Sequence, residues 1–493
     1  MKKILLATAA LCLSLAGAYA QHAHGLAPCG TQEGKVEWLK HYQANPDLYP
    51  SRSLEDTIYV PLTIHIVGDN NGNGYFALSR FFDAFCTLNN DFKPSAIQFY
   101  VVGDIRYINN SAYYNHDYPN GYDMMENNNV SLTVNCYIVD SPAGNCGYSV
   151  YDLGVALSKG CLDAGDHTWA HELGHQLSLP HTFYGWEGIE HDYDQNAPYY
   201  VDGEAVERVD GVNCNFAADG FCDTPPDYLN FRWNCNADGM SSIIQHDPYG
   251  NSFQSDGTYF MSYSDDACAA RFSDEQIGAM RSNLLTERAY LLYNQTPPTP
   301  ITSNELVVIA PENDSSVDYQ EGTQLAWEPI EGAELYVIDV SVLPTFSFVL
   351  LRFFVDETQV NIAPEELLPD KNYYWRVRPF NRYDACVGYA GSGSFNTFPM
   401  VSSQEREPVA QLSIQPNPVA PQQTVTVSFG SEYSQDLQLK VFQPSGQLVE
   451  QRLLIANAGL NKIELDASKW VSGVYLLQIA GNDGIVTRKL VVQ

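Results

Sequence analysis

Basic residues are scarce in this chain of 493 residues. Lysine and arginine total 26 against 59 aspartates and glutamates, which gives a formal net charge of −33 at pH 7. A surface this acidic repels nucleic acid and anionic lipid, so we expect neither as a partner. Beyond residue 20 no apolar run is long enough to cross a membrane, so no membrane span is predicted. The length predicts roughly three domains, at about 150 residues each.

The first 20 residues have the pattern of a signal peptide. Lys2 and Lys3 precede an apolar run from Ile4 to Leu15, and Ala18-Tyr-Ala20 is a small-x-small cleavage site. The alternative is a buried N-terminal helix, which the order of charged and apolar residues disfavours. We therefore expect export, with the mature chain beginning near Gln21.

Close C-x-x-C pairs are absent, which argues against a zinc cluster bound by cysteines alone. Of 11 cysteines, Cys12 lies in the signal peptide, which leaves ten. Eight of these crowd one region of an exported chain and predict up to four disulfides, whose pairing stays open. The eight are Cys86, Cys136, Cys146, Cys161, Cys214, Cys222, Cys235 and Cys268. Cys29 and Cys386 lie apart, and pairing within the eight leaves Cys386 unpaired.

Two breaks in composition, at residues 294–304 and 401–408, divide the chain. The part before the first break contains both strand and helix patterns. In both later parts apolar and polar residues alternate over short runs, as in the strands of β-sandwiches. The predicted segments are 1–20, the signal peptide; 21–56, an N-terminal segment; 57–293, an α+β domain; and sandwiches at 305–398 and 411–493. Within the α+β domain we expect strands at 57–67, 97–102 and 134–139, and helices at 78–88, 168–177 and 273–293.

The most informative stretch is His171-Glu-Leu-Gly-His175, which continues through Gln-Leu-Ser-Leu-Pro to His181. On a helix, positions i and i+4 share one face, so His171 and His175 can hold one metal with Glu172 beside it. His181 can supply a third ligand if the helix ends near Ser178 and the chain turns back. A catalytic zinc site takes three protein ligands and keeps its fourth position for water. Surface histidines on an ordinary helix are the alternative, but this spacing rarely arises by chance. The pattern predicts one catalytic zinc ion.

Together with a second stretch, Phe260-Met-Ser-Tyr-Ser-Asp-Asp-Ala-Cys268, this motif resembles the metzincin metalloproteases and, within them, the pappalysin family. Cys222-Asp-Thr-Pro-Pro226 resembles a further family element. The resemblance covers roughly residues 29–293 and implies a metzincin catalytic domain, with a mixed twisted sheet and an active-site helix. It implies Glu172 as the general base, Met261 as the methionine beneath the zinc, and Tyr263 as the residue that stabilises the tetrahedral intermediate. A packing role is the alternative for Tyr263.

One position departs from the family motif, because Ser178 stands where the family has glycine. Glycine lets the chain reverse with positive φ after the helix, and serine at positive φ costs on the order of 1 kcal/mol. A turn with negative φ, helped by Pro180, is the alternative. The resemblance also places residues 135–139 and 147–150 at the upper rim of the cleft. There an extended peptide or protein substrate would pair through main-chain hydrogen bonds.

In some metzincins a cysteine of the pro-segment binds the zinc and blocks the water site. The resemblance therefore implies a zymogen in which residues 21–56 are the pro-segment and Cys29 maintains latency, with Arg52 as a candidate maturation site. A thiolate is a strong zinc ligand, so the chemistry is sound. The alternative is a disulfide between Cys29 and a core cysteine or Cys386.

A group of acidic residues follows the predicted zinc helix and suits a structural calcium ion, which binds hard oxygen ligands. The family's structural calcium favours this interpretation. EF-hand spacing is absent, so a solvated acidic loop is the alternative. The candidates are Asp202, Glu204, Asp210, Asp219 and Asp223.

The two C-terminal modules each resemble a known domain. Residues 305–398 resemble a fibronectin type III domain through Leu325-Ala-Trp-Glu-Pro329 and Tyr373-Tyr-Trp-Arg-Val377, a fold that by itself implies no ligand and suits a plain spacer. Residues 411–493 resemble the C-terminal sorting domain of the type IX secretion system through Leu412-Ser-Ile-Gln-Pro-Asn-Pro-Val419 and Gly473-Val-Tyr-Leu-Leu-Gln478. This second resemblance implies the type IX machinery as a partner and a product outside the cell or on its surface. A sandwich that binds carbohydrate or protein is the alternative.

These features predict a secreted zinc-dependent endopeptidase that hydrolyses extracellular proteins, is made as a zymogen and acts as a monomer. One alternative is a surface adhesin with an inert protease-like domain, although an inert domain has no need of Glu172. Another is a zinc protein that acts on a non-peptide amide. The preferred cleavage site stays open, because loops form the pocket walls.

Overall fold

The computed structural model describes residues 26–32, 34–50, 54–293, 299–302, 305–398, 408–420, 423–481 and 484–493. The chain forms two compact units, Met1–Thr397 and Phe398–Gln493. The predicted signal peptide, Arg52 and most of both predicted linkers lie outside the described residues. The finer domain boundaries stay predictions.

Helices and a mixed sheet build the first part of the first unit. The helices among its described residues are α1 (Glu37–Ala44), α2 (Leu78–Phe92), α3 (Ser111–Tyr114), α4 (Tyr118–Asn128), α5 (Thr168–Gln176) and α6 (Asp274–Leu285). The strands are β1 (Ala27–Cys29), β2 (Ile58–Gly68), β3 (Ile97–Val101), β4 (Arg106–Asn109), β5 (Asn115–His116), β6 (Val134–Val139), β7 (Ser141–Pro142), β8 (Asn145–Val150), β9 (Gly154–Ser158), β10 (Tyr200–Val201), β11 (Glu204–Ala205), β12 (Gln245–His246) and β13 (Ser252–Phe253).

The main sheet has the strand order β1-β8-β9-β6-β2-β3, and β4 also pairs with β2. Neighbours in this sheet are parallel except for β8 and β9, which are antiparallel. The central strand β2 is apolar at nearly every position and buried on both faces, as expected of a strand covered on both sides. Helix α2 packs an apolar face that includes Phe81, Phe85 and Leu88 into the same core as Trp169 of α5. The predicted mixed sheet and its helices are confirmed.

Helix α6 is shorter than predicted. It begins with a capping box between Ser273 and Gln276, as the sequence indicates, but ends at Leu285 rather than at residue 293. Beyond it the chain forms a 3₁₀ turn at Ala289–Leu292. The break lets the buried Arg288 reach Asp152, with 3.0 Å between Nη2 and Oδ1. The local sequence pattern thus continues past Leu285, although the helix ends there.

The N-terminal segment is packed against the α+β domain. Leu39 of α1 is fully buried in the main core, and Nε1 of Trp38 donates to Oγ1 of Thr286 just after α6, at 3.1 Å. The segment therefore contributes apolar burial to the folded chain.

Leu39→Ala should destabilise the precursor by about 2–5 kcal/mol, since it removes a fully buried side chain from a packed core. If maturation removes residues 21–56, the matured enzyme should melt at the wild-type temperature. Thermal unfolding of both forms checks this. Leu48→Ala is the matched control, because Leu48 of the same segment is 73% exposed. A matured Leu39→Ala enzyme with a lowered melting temperature would show that α1 is retained.

The second part of the first unit is a β-sandwich, called here the first sandwich. Its strands are β14 (Val308–Ala310), β15 (Ser315–Val317), β16 (Thr323–Trp327), β17 (Leu335–Ser341), β18 (Leu351–Val355), β19 (Gln359–Ile362), β20 (Asn372–Phe380) and β21 (Gly391–Thr397). They form two sheets, β14-β16-β19 and β15-β21-β20-β17-β18. Trp327 and Trp375 are fully buried between them, in the strands that the sequence singled out.

The first sandwich is docked on the α+β domain, which argues against a plain spacer. Phe380 stacks on Phe82 of α2 with 4.6 Å between ring centroids. Nη1 of Arg378 lies 2.8 Å from Oδ1 of Asp83. The amide of Val101 donates to the carbonyl of Arg382 at 2.7 Å, so a sandwich loop covers part of the edge of β3.

The disulfides correct two predictions about single cysteines. The pairs are Cys86–Cys386, Cys146–Cys161, Cys214–Cys222 and Cys235–Cys268. Cys386 is therefore paired, and Cys136 is free and buried. Cys136 lies in β6 at the centre of the sheet, surrounded by apolar side chains. Docking of the first sandwich supplies Cys86 with a partner 300 residues away.

The second unit is a separate β-sandwich. Its strands are β22 (Ala410–Gln415), β23 (Thr424–Ser431), β24 (Gln435–Phe442), β25 (Leu448–Ala456), β26 (Gly459–Asp466), β27 (Gly473–Gly481) and β28 (Gly484–Val492). They form the sheets β22-β23-β26 and β25-β24-β27-β28. In β23, Val425, Val427 and Phe429 point inward and alternate with more exposed residues, as predicted. In the described part of the chain, no helix combines the length and apolarity that a membrane crossing requires.

Candidate metal centre and active site

Helix α5 and the turn that follows it bring three histidines together. His171 and His175 are one helical turn apart on α5, and the chain reverses to return His181 to the same place. Nε2 of His175 lies 3.2 Å from Nε2 of His171 and 3.2 Å from Nε2 of His181. All three rings are buried. The structure thus brings the three predicted ligands to one point.

Hydrogen bonds at the outer ring nitrogens determine which nitrogen faces this point. Nδ1 of His171 donates to the carbonyl of Phe260 at 2.6 Å, and Nδ1 of His175 donates to the carbonyl of Leu179 at 2.7 Å. Nδ1 of His181 lies 3.2 Å from Oε1 of Glu187. These oxygens accept, so each Nδ1 carries the proton and each Nε2 presents a lone pair inward. Such partners orient metal-bound histidines.

Burial keeps two of these imidazoles neutral. It lowers the pKa of His171 to about 3, with a further lowering by the neighbouring His181. Burial also holds the pKa of His175 well below its ordinary value, and the other two histidines add to the effect. Three lone pairs this close repel one another unless a cation lies among them. The donors therefore fit a metal ion that binds neutral imidazoles, as zinc does.

Cys29 is the fourth member of the cluster. Its Sγ lies 3.6 Å from Nε2 of His175, and the ligand atoms of the four residues all lie within 4.8 Å of one another. The thiol is free and buried, so the alternative of a disulfide at Cys29 is wrong. Burial and the charge of Glu172 raise the pKa of this thiol. A set of three nitrogens and one sulfur suits zinc and not calcium.

The turn after α5 has positive φ at Ser178. Its φ is 78°, and the amides of Ser178 and Leu179 donate to the carbonyls of His175 and Gly174 at 2.9 and 3.0 Å. These two bonds are those of a Schellman motif, in which the position of Ser178 favours glycine. The alternative turn with negative φ is therefore wrong. The turn presents the Leu179 carbonyl to His175, so it supports that ring directly.

Ser178→Gly should raise the stability of the protein by about 1 kcal/mol relative to Ser178→Ala, since both variants lack the hydroxyl and only alanine keeps a Cβ at positive φ. Oγ of Ser178 has no hydrogen-bond partner, so neither variant loses a bond. Thermal unfolding of the two variants side by side measures the difference. Equal melting temperatures would show that this turn stores no strain.

Glu172 lies beside the metal cluster and outside its ligand group. Burial raises its pKa to about 8, against the lowering effect of hydrogen bonds from Cys29 and Thr31. Strand β8 passes so close that a Cβ on Gly147 would lie 2.8 Å from Cγ and Oε1 of Glu172. The carboxyl is therefore held between α5 and β8, beside the histidine cluster.

Met261 and Tyr263 both lie close to the helix and the histidines of the cluster. Met261 is fully buried against α5, since a Cβ on Gly174 would lie 2.5 Å from its Sδ. The ring centroid of Tyr263 lies 4.9 Å from that of His181, and its hydroxyl donates to the Cys29 carbonyl at 3.1 Å. Burial raises the pKa of Tyr263, so the hydroxyl stays a donor. Phe260, one residue before Met261, supplies the carbonyl that orients His171.

The two stretches predicted for the upper rim lie in different strands of the main sheet. Residues 147–150 lie in β8, whose outer edge pairs in parallel with β1 through Ala27 with Asn145 and Cys29 with Gly147. Residues 135–139 belong to β6, which has neighbours on both sides, so that part of the prediction is wrong. A substrate strand can be added only at an edge, and here the N-terminal segment holds that edge.

The predicted calcium ligands do not come together as one group. Oδ1 of Asp219 accepts from the amide of Phe221 and from Thr224, and Oδ2 of Asp223 accepts from the amide of Glu275. Asp210 pairs with Arg208. Over the described ranges, the four-residue cluster at Cys29 is the one group of close metal-ligand atoms. Calcium stays a prediction without support.

Sequence reasoning missed three residues that contact the site. They are Thr31, which bonds Glu172; Glu187, which bonds His181; and Tyr118, which bonds the Gly30 carbonyl. Glu187 follows His181 by six residues, so its position in the sequence could have suggested a carboxylate partner for that histidine. Thr31 and Tyr118 have no local pattern that marks them.

Comparisons with known proteins agree with parts of this description. Residues 413–493 match the family model of the secretion system C-terminal sorting domain. This match confirms the predicted sorting domain and implies handling by type IX secretion machinery. An extracellular metalloprotease of Verticillium alfalfae is 26% identical over 317 residues, which cover 58% of this chain and 99% of that protein. A second extracellular metalloprotease of that organism is 27% identical over 251 residues, which cover 46% of this chain and 78% of that protein.

Among solved structures, the FN1–FN3 domains of chicken CNTN1 align with 39% of this chain and 68% of their own, at 12% identity. The TM-score of 0.16 is too low to define a fold. The description of the first sandwich therefore rests on its own strands, and the fibronectin type III resemblance stays a prediction.

Proposed function

We propose that this protein is a secreted zinc-dependent endopeptidase of the metzincin class, similar to the pappalysins and made as a zymogen. One observation carries the proposal. Nε2 of His171 and Nε2 of His181 each lie 3.2 Å from Nε2 of His175, all three rings are buried, and the Glu172 carboxyl is adjacent. The similarity to two extracellular metalloproteases supports the same activity. The zinc ligands would be His171, His175 and His181, and Cys29 would occupy the fourth position until activation.

The chain's own residues have distinct roles in this reaction. His171, His175 and His181 would hold the zinc ion, which would polarise the scissile carbonyl and lower the pKa of a bound water. Glu172 accepts the proton of the attacking water and passes it to the leaving amine. The Tyr263 hydroxyl now donates to the Cys29 carbonyl, and it would donate in the same way to the oxyanion of a substrate. Strand β8 would bind the extended substrate once β1 has left its edge.

The matured protein should hydrolyse casein, and a chelator should abolish the hydrolysis. Added zinc at about one ion per chain should restore it, since the cluster offers one set of ligands. A protease assay with chelator, with zinc and with calcium alone measures this. Calcium alone should fail, because nitrogen ligands do not suit it. An inert adhesin would show no hydrolysis in any arm, and a zinc amidase would cleave small amides but leave casein intact.

We also propose the predicted boundaries for this enzyme, with catalytic residues in 57–293, the first sandwich at 305–398 and the sorting domain at 411–493. The docked first sandwich would then be a fixed part of the catalytic unit, because the Cys86–Cys386 bond ties it to α2. The sorting domain, a compact unit of its own, would act as an address for type IX secretion.

A further inference from the structure

Three neighbouring groups of the N-terminal segment each contact a different part of the proposed active site. Sγ of Cys29 faces the histidines, 3.6 Å from Nε2 of His175. The Cys29 carbonyl accepts from the Tyr263 hydroxyl at 3.1 Å. Oγ1 of Thr31 donates to Oε2 of Glu172 at 3.1 Å. The metal site, the oxyanion donor and the general base are therefore all engaged by the residues Cys29 to Thr31.

The hydroxyl of Thr31 makes more than one contact. Besides donating to Glu172, Oγ1 accepts from the backbone amide of Ser149 in β8 at 2.9 Å. It thus links the edge strand that would bind substrate to the carboxyl that would take the proton. Both bonds are made to protein atoms, so neither requires a metal ion at the histidines.

Gly30 shows how tightly this part of the segment fits. The Tyr118 hydroxyl donates to its carbonyl at 2.7 Å, and its amide donates to the Gly147 carbonyl at 2.8 Å. A Cβ at this position would overlap Nδ2 of Asn145 and the hydroxyl of Tyr118. The backbone is therefore held in one place between Cys29 and Thr31, which keeps the threonine hydroxyl on Glu172.

We propose that Thr31 is a second blocking residue of the precursor, which holds Glu172 through its own hydroxyl. The Cys29 thiol donates to that hydroxyl at 3.2 Å, so the two blocking residues are also in contact with each other. This inference rests on the proposed function, since it assigns a regulator to the same site. Loss of the thiol alone leaves Glu172 bonded and the edge of β8 occupied. Full release therefore requires that both contacts be broken, as happens when the segment is removed.

Thr31→Val tests the proposal, because valine keeps the shape of threonine and cannot form either hydrogen bond. The zinc-loaded precursor of this variant should show about tenfold higher residual activity on a quenched peptide, since one buried hydrogen bond is worth about that factor. Thr31→Ser, which keeps the hydroxyl, is the matched control and should stay within about twofold of the wild type. Cys29→Ala should raise activity by its own factor, and Cys29→Ala with Thr31→Val should exceed either single variant. The combined factor need not equal the product of the two, because the Cys29 thiol donates to the Thr31 hydroxyl and contacting residues are not additive.

A second measurement does not depend on activity. In the metal-free precursor, Thr31→Val should make the amide of Ser149 exchange about tenfold faster with deuterium, because its acceptor is lost. Cys29→Ala should change this exchange far less. If Thr31→Val leaves either the residual activity or the Ser149 exchange at the wild-type value, Thr31 is not a blocking residue. A matured wild type without casein activity would overturn the proposed function. The Ser149 exchange measurement does not depend on activity, so it tests the Thr31 contacts separately.

Discussion

Glu172→Ala should lower casein hydrolysis by about 10²- to 10⁴-fold and still bind about one zinc ion per chain, as expected for loss of a general base. The carboxyl is fully buried beside the histidines but lies outside the group of metal ligands, so its removal leaves those ligands in place. Hence kcat should fall while the zinc content holds. Steady-state kinetics of the matured enzyme and metal analysis of the same sample measure both quantities.

The control for this variant is Glu190→Ala, which removes an exposed carboxylate from the loop after His181. Its activity should match the wild type, because no catalytic group is touched. Two results would contradict the assignment of Glu172. One is activity of Glu172→Ala within about threefold of wild type, which is ordinary scatter for substitutions. The other is loss of zinc together with activity, which would make Glu172 a ligand.

Deletion of residues 411–493 should abolish release of the protein and leave its hydrolytic activity intact. Those residues contain the stretch that matches the sorting-domain model and form most of the second compact unit. The main core of the first unit draws its buried residues from positions 39–385, so we expect that unit to fold without the deleted part. The truncated protein should therefore accumulate in the periplasm and should hydrolyse casein once its N-terminal segment has been removed.

Cell fractionation with immunoblotting and a casein assay on each fraction measure this result. Full-length Glu172→Ala is the control, since it should be released normally and would show that export does not depend on the protein's own activity. Truncated protein in the medium at wild-type amounts would exclude the sorting role. Truncated protein that is periplasmic and stays inactive after removal of its N-terminal segment would show instead that the first unit needs the second to fold.

Several elements of the fold were predictable because their signal is local. The continuous apolar run of β2 is typical of a strand buried on both faces. The phenylalanines of α2 are spaced so that they fall on one face of a helix. The spacing of His171 and His175 predicted their shared face for the same reason. Helix α6 shows where this reasoning fails. Its sequence pattern runs past Leu285, but the helix ends there, and Arg288 beyond it pairs with the distant Asp152.

The parts of the site that could not be predicted are contacts between distant segments. Cys29 and His175 are separated by 146 positions, and Thr31 and Glu172 by 141. The sequence suggested the first contact only through a family resemblance and did not suggest the second. The carbonyls of Phe260 and Leu179 orient His171 and His175 through backbone atoms, which every residue type possesses. No choice of side chain marks them in advance.

The sequence by itself determined the helix that carries two histidines one turn apart, the alternating strands of both sandwiches and the identity of the sorting domain. Each follows from short-range backbone geometry or from a contiguous motif. Only the tertiary structure decided that β1 occupies the edge of β8, that Thr31 engages Glu172 and that Cys86 pairs with Cys386. The entropic cost of closing a chain loop rises only slowly with loop length. Many pairings between distant residues therefore have nearly the same entropic cost. The choice among them depends on how whole surfaces pack, and no local stretch of sequence records it.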